Sequence, residues 1–166
     1  MKTAIYPGSF DPVTLGHLNI IKRAAIAFDR VIVCVMANSA KNGIFTPEER
    51  VELLRRAVNL PNVEVDMHEG LLADYARKKG ARVLVKGLRA VSDYEAEVQM
   101  AIVNSSLNPE LDTVFFPSGQ KYSYLSSTVV KELARYDANL EEVLPREIID
   151  EVRARMETER GECNGK

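Results

Sequence analysis

The sequence predicts an α/β fold in which an open parallel sheet of about five strands carries helices on both faces. Short apolar runs rich in Val and Ile recur along the chain, and such runs are typical of buried strands. Segments with helical spacing of apolar residues lie between them, and this alternation is the pattern of parallel strands joined by right-handed crossovers. Of the 166 residues, 46% are hydrophobic and 28% are charged, which suits a globular chain. These observations favour a Rossmann-like arrangement.

The strands and helices are predicted in chain order from these two patterns. The apolar runs place five strands at residues 3–6, 30–36, 63–66, 82–85 and 113–116. Apolar residues at helical spacing place helices in 18–28, 51–58, 72–76, 94–102, 129–133 and 148–156.

Capping chemistry marks the beginnings of four helices. Thr46 is a candidate N-cap, followed by a Pro at the first helical position and by Glu49, which completes a capping box. The run that begins at Ser92 repeats this pattern. The hydroxyls of 126–128 are candidate caps for the helix after the fifth strand, and Pro145 is expected to open the C-terminal helix.

Composition and charge exclude several classes of protein. We expect one domain over 1–157 and a disordered tail over 158–166, because the last residues are polar and aperiodic. The 22 Lys and Arg against 24 Asp and Glu lack the basic excess of a nucleic-acid or anionic-membrane binder. No apolar run is long enough for a membrane span or a signal peptide, and Cys34 and Cys163 form no zinc or disulfide pattern. A cytoplasmic protein is therefore expected.

The loop after the first strand is the first candidate site, because open parallel sheets bind ligands beyond the carboxyl ends of their strands. Residues 7–17 contain Gly8 and Gly16 and lead into a helix, so backbone N–H groups and the positive helix end can meet a phosphate. The P-loop and the dinucleotide-binding glycine pattern are both absent from the sequence. Asp11 is interpreted as a turn residue and not as a metal ligand.

Four motifs resemble a known family. Thr14-Leu15-Gly16-His17 is similar to the Thr/His-x-Gly-His signature of the nucleotidyltransferase superfamily. The 86–89 run Lys-Gly-Leu-Arg, the acidic run 93–97 and the hydroxyl-rich run 123–128 resemble the remaining motifs of the bacterial phosphopantetheine adenylyltransferases. The resemblance covers about residues 3–145. It implies transfer of the adenylyl group of ATP to 4'-phosphopantetheine by in-line attack, giving dephospho-coenzyme A and pyrophosphate.

The resemblance also implies roles for individual residues. The residues implied in catalysis are His17, Lys41 and Arg89, with His17 stabilising the transition state. Those implied in nucleotide binding are Ser9, Phe10, His17, Gly87, Leu88, Arg89, Glu97, Tyr122, Ser123, Tyr124, Leu125, Ser126, Ser127 and Thr128. Those implied in binding 4'-phosphopantetheine are Ser9, Lys41, Leu72 and Lys86. Lys86 replaces the commoner Arg of the family and so loses the bidentate fork of a guanidinium.

The resemblance further implies Mg²⁺ that arrives with ATP, with no protein ligand for the metal, a homohexamer, and feedback inhibition by coenzyme A. Two alternatives remain. One is another small nucleotidyltransferase, such as one joining CTP to glycerol phosphate or ATP to nicotinate mononucleotide, and the 86–89 and 123–128 motifs argue against it. The other is a sensor that binds ATP without turnover, which the joint presence of His17, Lys41 and Arg89 disfavours.

Overall fold

The sheet is built from parallel strands, as expected. The computed structural model describes residues 1–37 and 43–163. Within them the strands are β1 (Thr3–Gly8), β2 (Arg30–Ala37), β3 (Val63–Glu69), β4 (Val83–Leu88) and β5 (Asp112–Pro117). They form one sheet in the order β3-β2-β1-β4-β5, and every neighbouring pair is parallel. The predicted open parallel sheet is therefore confirmed, and each strand extends beyond its predicted carboxyl end.

Helices follow the strands in turn. They are α1 (Leu15–Ala27), α2 (Pro47–Ala57), α3 (Leu72–Lys79), α4 (Val91–Leu107), α5 (Ser127–Arg135) and α6 (Ile149–Cys163). Two 3-10 turns, Gln120–Tyr122 and Arg146–Ile148, precede α5 and α6. Helix α6 continues to Cys163, and the expected disorder of the tail over 158–166 stays a prediction. Each residue added to an existing helix contributes a hydrogen bond at little entropic cost, so a polar and aperiodic segment can extend one.

The predicted caps are observed at α2 and α5 and are wrong at α4. Thr46 and Glu49 form the complete capping box of α2, and the Ser126 hydroxyl accepts the N–H of Val129. Helix α4 has Ala90 as its N-cap, with no side-chain hydrogen bond from the cap. The Asp93 carboxylate accepts the backbone N–H of Arg89 instead. The third residue of the helix thereby supplies a hydrogen-bond acceptor for the backbone just before the helix.

Two apolar layers cover the faces of the sheet. Alternate strand residues such as Val31 and Val33 pack against one cluster, which includes buried residues of α1, α2, α5 and α6. Ile5, Ile32 and Leu84 pack on the opposite face, against residues of α3. The central strands are therefore buried on both sides, which explains why they read as continuous apolar runs.

The strand order locates the ligand-binding edge. Strand β1 pairs with β2 on one side and with β4 on the other, so the direction of winding reverses between β1 and β4. The loops that leave these two strands diverge there and open a crevice. Among the described residues no helix is long and apolar enough to cross a membrane. The cytoplasmic location stays a prediction.

Candidate active site

A cavity of about 590 Å³ lies at the carboxyl ends of β1 and β4, where the winding reverses. Its walls are the loop after β1, the start of α1, the end of β4 with the inner face of α4, and the start of α5. The predicted site residues that line it are Ser9, Phe10, His17, Lys86, Gly87, Arg89, Glu97, Tyr122, Leu125, Ser126, Ser127 and Thr128. Motifs that lie far apart in the sequence therefore meet around one space.

The loop after β1 is shaped by Phe10. Its backbone has a φ of 47°, in the left-handed region that costs a non-glycine residue about 1 kcal/mol. Burial offsets this cost, since the Phe10 ring is 1% exposed and packs edge-on against the rings of Tyr6 and His17. Gly8 is required beside it, because a Cβ there would lie 2.9 Å from the Phe10 ring. The loop thereby leaves the Ser9 hydroxyl exposed at the cavity.

His17 is held in one orientation by the start of its own helix. Its Nδ1 lies 3.0 Å from the Thr14 N–H, while its backbone N–H donates to the Thr14 hydroxyl at 3.3 Å. Because Nδ1 accepts a hydrogen bond, the proton of the neutral ring lies on Nε2. Burial, and secondarily the positive charge of Arg89, lower the pKa of His17 to about 4. At neutral pH His17 is thus an uncharged donor lining the cavity.

We expect the ring of His17 to remain neutral from pH 8 down to pH 5. Its pKa of about 4 in the folded chain lies below the ordinary 6.5, so acidification through that window lowers the free energy of unfolding. NMR titration of the histidine ring signals, with His17 assigned by its loss in His17→Gln, measures this directly. In urea unfolding, His17→Gln should lose less stability than the wild type between pH 7 and pH 5. A His17 signal that titrates near 6.5 would contradict the assignment.

Arg89 is fixed by hydrogen bonds on two sides. Asp93 accepts Nε at 3.1 Å and Nη2 at 3.3 Å, and the carbonyl of Leu125 accepts Nη1 at 3.1 Å. One N–H on each terminal nitrogen remains for a ligand. Burial alone would raise the pKa of Asp93, but its hydrogen bonds from Arg89 outweigh this and hold the pKa below its usual value. The pair therefore stays ionised at neutral pH.

Lys86 forms the second ion pair of the cavity. Its Nζ lies 3.0 Å from Glu97 Oε2, and both side chains are partly buried. Glu97 and Asp93 are one turn apart on α4, so this helix presents two carboxylates to two cations at the end of β4. Nearby, burial and the charge of Glu97 raise the pKa of Tyr6 above its ordinary value. The Tyr6 hydroxyl therefore stays protonated.

The start of α5 supplies hydroxyls and backbone donors. Ser126 caps the helix, and the Ser127 hydroxyl donates to the carbonyl of Pro12 at 2.9 Å, which joins α5 to the first loop. The hydroxyl side chain of Thr128 is exposed at the cavity. The unpaired N–H groups of a helix start carry partial positive charge, so this wall suits phosphate oxygens.

The remaining predicted residues lie elsewhere. Leu88, Ser123 and Tyr124 are near the cavity in sequence but are not among its lining residues. Leu72 opens α3 and packs against the second apolar cluster, also outside the lining. Lys41 falls outside the described residues.

The sequence reasoning gave no role to several residues of the cavity wall. Thr14, Asp93 and Ser118 all line the cavity. Ser118 could have been found, because it directly follows β5 and the carboxyl end of every strand was a place to search. Asp93 lies within the acidic 93–97 motif, but its contact with Arg89 depends on where α4 begins.

Comparisons with known proteins agree with this architecture. A cytidylyltransferase-like family model matches residues 5–133. A phosphopantetheine adenylyltransferase from Alkaliphilus metalliredigens is 54% identical over 150 residues, which are 90% of this chain and 96% of that protein. One of the same name from Lachnoclostridium phytofermentans is 48% identical over 163 residues, 98% of this chain and 100% of the other.

A solved structure supports the fold. It is that of a Vibrio parahaemolyticus protein assigned as a nicotinate-nucleotide adenylyltransferase. It matches with a TM-score of 0.67 at 16% identity and covers 93% of this chain and 96% of its own.

Proposed function

We propose a function and a mechanism from the premise that this chain belongs to the cytidylyltransferase-like family and, within it, to the phosphopantetheine adenylyltransferases. It is an enzyme, a nucleotidyltransferase of coenzyme A biosynthesis. It transfers the adenylyl group of ATP to 4'-phosphopantetheine and releases dephospho-coenzyme A and pyrophosphate. The observation that carries the mechanism is the convergence of His17, Lys86 and Arg89 on one cavity at the sheet edge.

The reaction is a single in-line displacement. A phosphate oxygen of 4'-phosphopantetheine forms a bond to the α-phosphorus of ATP, and the bond from that phosphorus to the bridging oxygen of pyrophosphate breaks. The second pKa of a phosphomonoester is about 6, so the attacking oxygen is already ionised at neutral pH and needs no general base. The protein's contribution is to position two polyanions and to stabilise the charge that develops.

His17 acts on the reacting phosphate. Its neutral ring donates Nε2–H to an oxygen of the α-phosphate, and the Thr14 N–H on Nδ1 keeps that donor aimed at the cavity. An uncharged donor also avoids a fixed ion pair with the ATP ground state. Its hydrogen bond can therefore strengthen as the α-phosphate gains charge in the transition state.

The positively charged side chains bind different substrates. Arg89, already oriented by Asp93, offers its remaining N–H groups to the phosphates of ATP. Lys86 exchanges its contact with Glu97 for the phosphate of 4'-phosphopantetheine, and Lys41 adds a second charge there. The Ser9 hydroxyl contacts both substrates, and Leu72 contacts the pantetheine arm.

The nucleotide lies against the wall formed by β4, α4 and α5. Backbone groups of Phe10, Gly87 and Leu88 and the carboxylate of Glu97 contact it on one side. The segment that includes Tyr122, Ser123, Tyr124 and Leu125 contacts it on the other. The helix start with Ser126, Ser127 and Thr128 meets its phosphates.

Mg²⁺ accompanies the nucleotide in this proposal. Both carboxylates in the cavity lining are engaged by cations, Asp93 by Arg89 and Glu97 by Lys86. Asp93 remains paired with Arg89 and Glu97 contacts the nucleotide when Lys86 binds the acceptor phosphate, so the metal would be held by polyphosphate oxygens and water. The metal supplies neutralisation of the charge on the departing pyrophosphate.

An acceptor panel tests the proposed function. Purified chain is incubated with MgATP and either 4'-phosphopantetheine, nicotinate mononucleotide or no acceptor, and with CTP and glycerol phosphate. Pyrophosphate is measured, and the nucleotide products are identified by mass spectrometry. We expect dephospho-coenzyme A in the first reaction alone. Turnover with a different pair would indicate the other transferases, and ATP binding without pyrophosphate in any reaction would indicate a sensor.

Assembly is proposed from the outer face of α4. The helix carries large exposed apolar side chains. Val91 and Ile102, 80% and 64% exposed, lie on the side away from Asp93, and Met100, Val103 and Leu107 are exposed on other sides of the helix. A helix with this many exposed apolar side chains suits burial against another protein surface. We propose that a second copy of the chain covers it within a homohexamer.

Ile102→Glu should break this assembly. The substitution places a charge in the apolar contact, and burying an unpaired carboxylate costs several kcal/mol. Light scattering after size-exclusion chromatography should show a species smaller than the wild-type hexamer. Ile26→Glu, an exposed position on α1, is the matched control and should leave the mass unchanged. A wild-type monomer, or an Ile102→Glu hexamer, would contradict the proposal.

Coenzyme A is proposed as a feedback inhibitor of the same site. It carries both an adenine nucleotide and a phosphopantetheine arm, so it can meet the walls that bind each substrate. Inhibition that is competitive with both substrates is the expected pattern.

A further inference from the structure

A buried cluster of charged side chains lies beside the cavity but does not line it. Asp11 and Arg50 are 6% and 7% exposed, and Lys131 is partly buried against them. The Asp11 carboxylate accepts the backbone N–H groups of Ile44 at 3.1 Å and Phe45 at 3.0 Å. It also lies 3.3 Å from Arg50 Nε and 2.9 Å from Lys131 Nζ. Asp11 is thus far more connected than the turn residue expected from the sequence.

Arg50 extends the cluster to two backbone carbonyls. Its Nε donates to Phe45 at 2.8 Å, and Nη1 makes a longer contact with the carbonyl of Ser9 at 3.5 Å. Gly43 fits closely against it, because a Cβ at that position would lie 1.8 Å from Arg50 Nη2. The Arg50 guanidinium occupies the space that a side chain at residue 43 would need.

Burial of the cluster removes charged groups from water, which opposes folding. Its contribution is therefore the relative position in which it holds the chain segments. Taking charges out of water is expensive, and apolar side chains of similar volume often give equal or greater stability. A buried carboxylate that accepts hydrogen bonds from several chain segments holds those segments in fixed relative positions. Here the segments are the loop after β1, the approach to α2 and the second turn of α5.

Two of these segments belong to the cavity wall, and the third is assigned to the acceptor side by the proposed role of Lys41. Asp11 is in the same loop as Ser9 and Phe10, and Lys131 is one turn beyond the Ser127 and Thr128 end of α5. The approach to α2 follows directly after the segment that contains Lys41 in the sequence. On the proposed function, the Asp11 carboxylate therefore joins the nucleotide side of the site to its acceptor side.

We propose that Asp11 is a positioning residue that sets the loop after β1 against both substrate walls, through Lys131 on the ATP side and Arg50 on the acceptor side. None of the three lines the cavity. The proposal rests on the proposed function for the identity of the acceptor. It assigns separate consequences to the two cationic arms, which a purely stabilising cluster would not have.

Two variants test the arms separately. Lys131→Met keeps the length of the side chain and removes its charge. Arg50→Lys keeps the charge and loses the fork that spans Phe45 and Ser9. The matched controls are Lys78→Met and Arg55→Lys, both at exposed positions. For each protein we would measure thermal unfolding, the Kd for ATP by calorimetry without acceptor, and KM for each substrate.

We expect each variant to weaken the binding of one substrate more than that of the other. A displacement on the order of 1 Å in such a site costs about a hundredfold, so partial loosening of one arm should cost about tenfold. Lys131→Met should raise the Kd and KM for ATP about tenfold and leave the KM for 4'-phosphopantetheine within about twofold. Arg50→Lys should raise the KM for 4'-phosphopantetheine about tenfold and change the Kd for ATP less than threefold. Lys131→Arg should restore the affinity for ATP.

Two outcomes overturn the proposal. In one, both variants lower the unfolding temperature and leave every Kd and KM at the wild-type value. In the other, both variants raise all constants equally. Failure of the proposed function is a separate event, seen as a wild-type chain that does not turn over 4'-phosphopantetheine. In that case the Kd for ATP still tests the positioning role of Asp11, because Lys131→Met must weaken ATP binding and Arg50→Lys must not.

Discussion

Replacing His17 with Ala is expected to lower kcat by about 10² to 10³-fold with little change in either KM. Loss of one preorganised donor to a developing anion has this magnitude, and an interaction made mainly in the transition state appears in kcat. Steady-state pyrophosphate release measures it. The change also leaves the Thr14 N–H without its acceptor at the start of α1, so a modest loss of stability of about 1 kcal/mol should accompany it.

His17→Gln separates the catalytic loss from the structural one. Glutamine at the third helical position suits a capping box, so its side-chain oxygen can accept the Thr14 N–H and preserve the cap. We expect wild-type thermal stability together with a large loss of kcat. His68→Gln, on β3 and stacked against Tyr75, is the control and should retain activity. A His17→Gln enzyme within about threefold of wild-type kcat would remove His17 from the chemistry.

Arg89→Lys is expected to lower kcat/KM for ATP by about a hundredfold. The positive charge remains, but an ammonium cannot hold Asp93 and the Leu125 carbonyl while still presenting two aligned donors to phosphate. A hydrogen bond to a charged group contributes about 1.5–3 kcal/mol, so loss of one or two of them gives this magnitude. Initial rates at varied MgATP and saturating 4'-phosphopantetheine measure the effect.

The control for this change is Arg82→Lys. Arg82 is exposed just before β4 and pairs with Glu110 at the surface, so its replacement should leave kinetics and stability unchanged. Wild-type kcat/KM in Arg89→Lys would show that charge alone suffices at this position. The fixed guanidinium would then have no catalytic value.

The fold was predictable where burial on both faces makes a strand continuously apolar. Strands β1 and β2 have this character and were located within two residues at each end. Strand β3 extends three residues beyond its prediction, because polar residues at 64, 66 and 68 alternate with apolar ones in this strand at the sheet edge. Apolar content therefore underestimated its length. At α4, a Ser that looked like a cap lies inside the helix, since Asp93 supplies the hydrogen bond by reaching back to Arg89.

The site was predictable where motifs follow strands, and it was not where contacts cross between segments. The loop after β1 is indicated by the rule that strand ends define the binding edge, and residues 86–89 after β4 are indicated by the family resemblance. No such signal marks Arg50 in the sequence. An Arg in a helix is ordinarily exposed, and only the fold buries this one beside Asp11. The positive φ of Phe10 was equally invisible, since it depends on a ring packed between Tyr6 and His17.

The central claim is that the adenylyl group passes directly between substrates, with the protein positioning both and bonding covalently to neither. The stereochemical course at the α-phosphorus tests this most directly. The chain is given one diastereomer of ATP with sulfur on the α-phosphate, and the configuration of the thio-substituted dephospho-coenzyme A is determined by ³¹P NMR. A single in-line displacement predicts inversion. Retention would require two displacements through an adenylylated side chain, and would contradict the account.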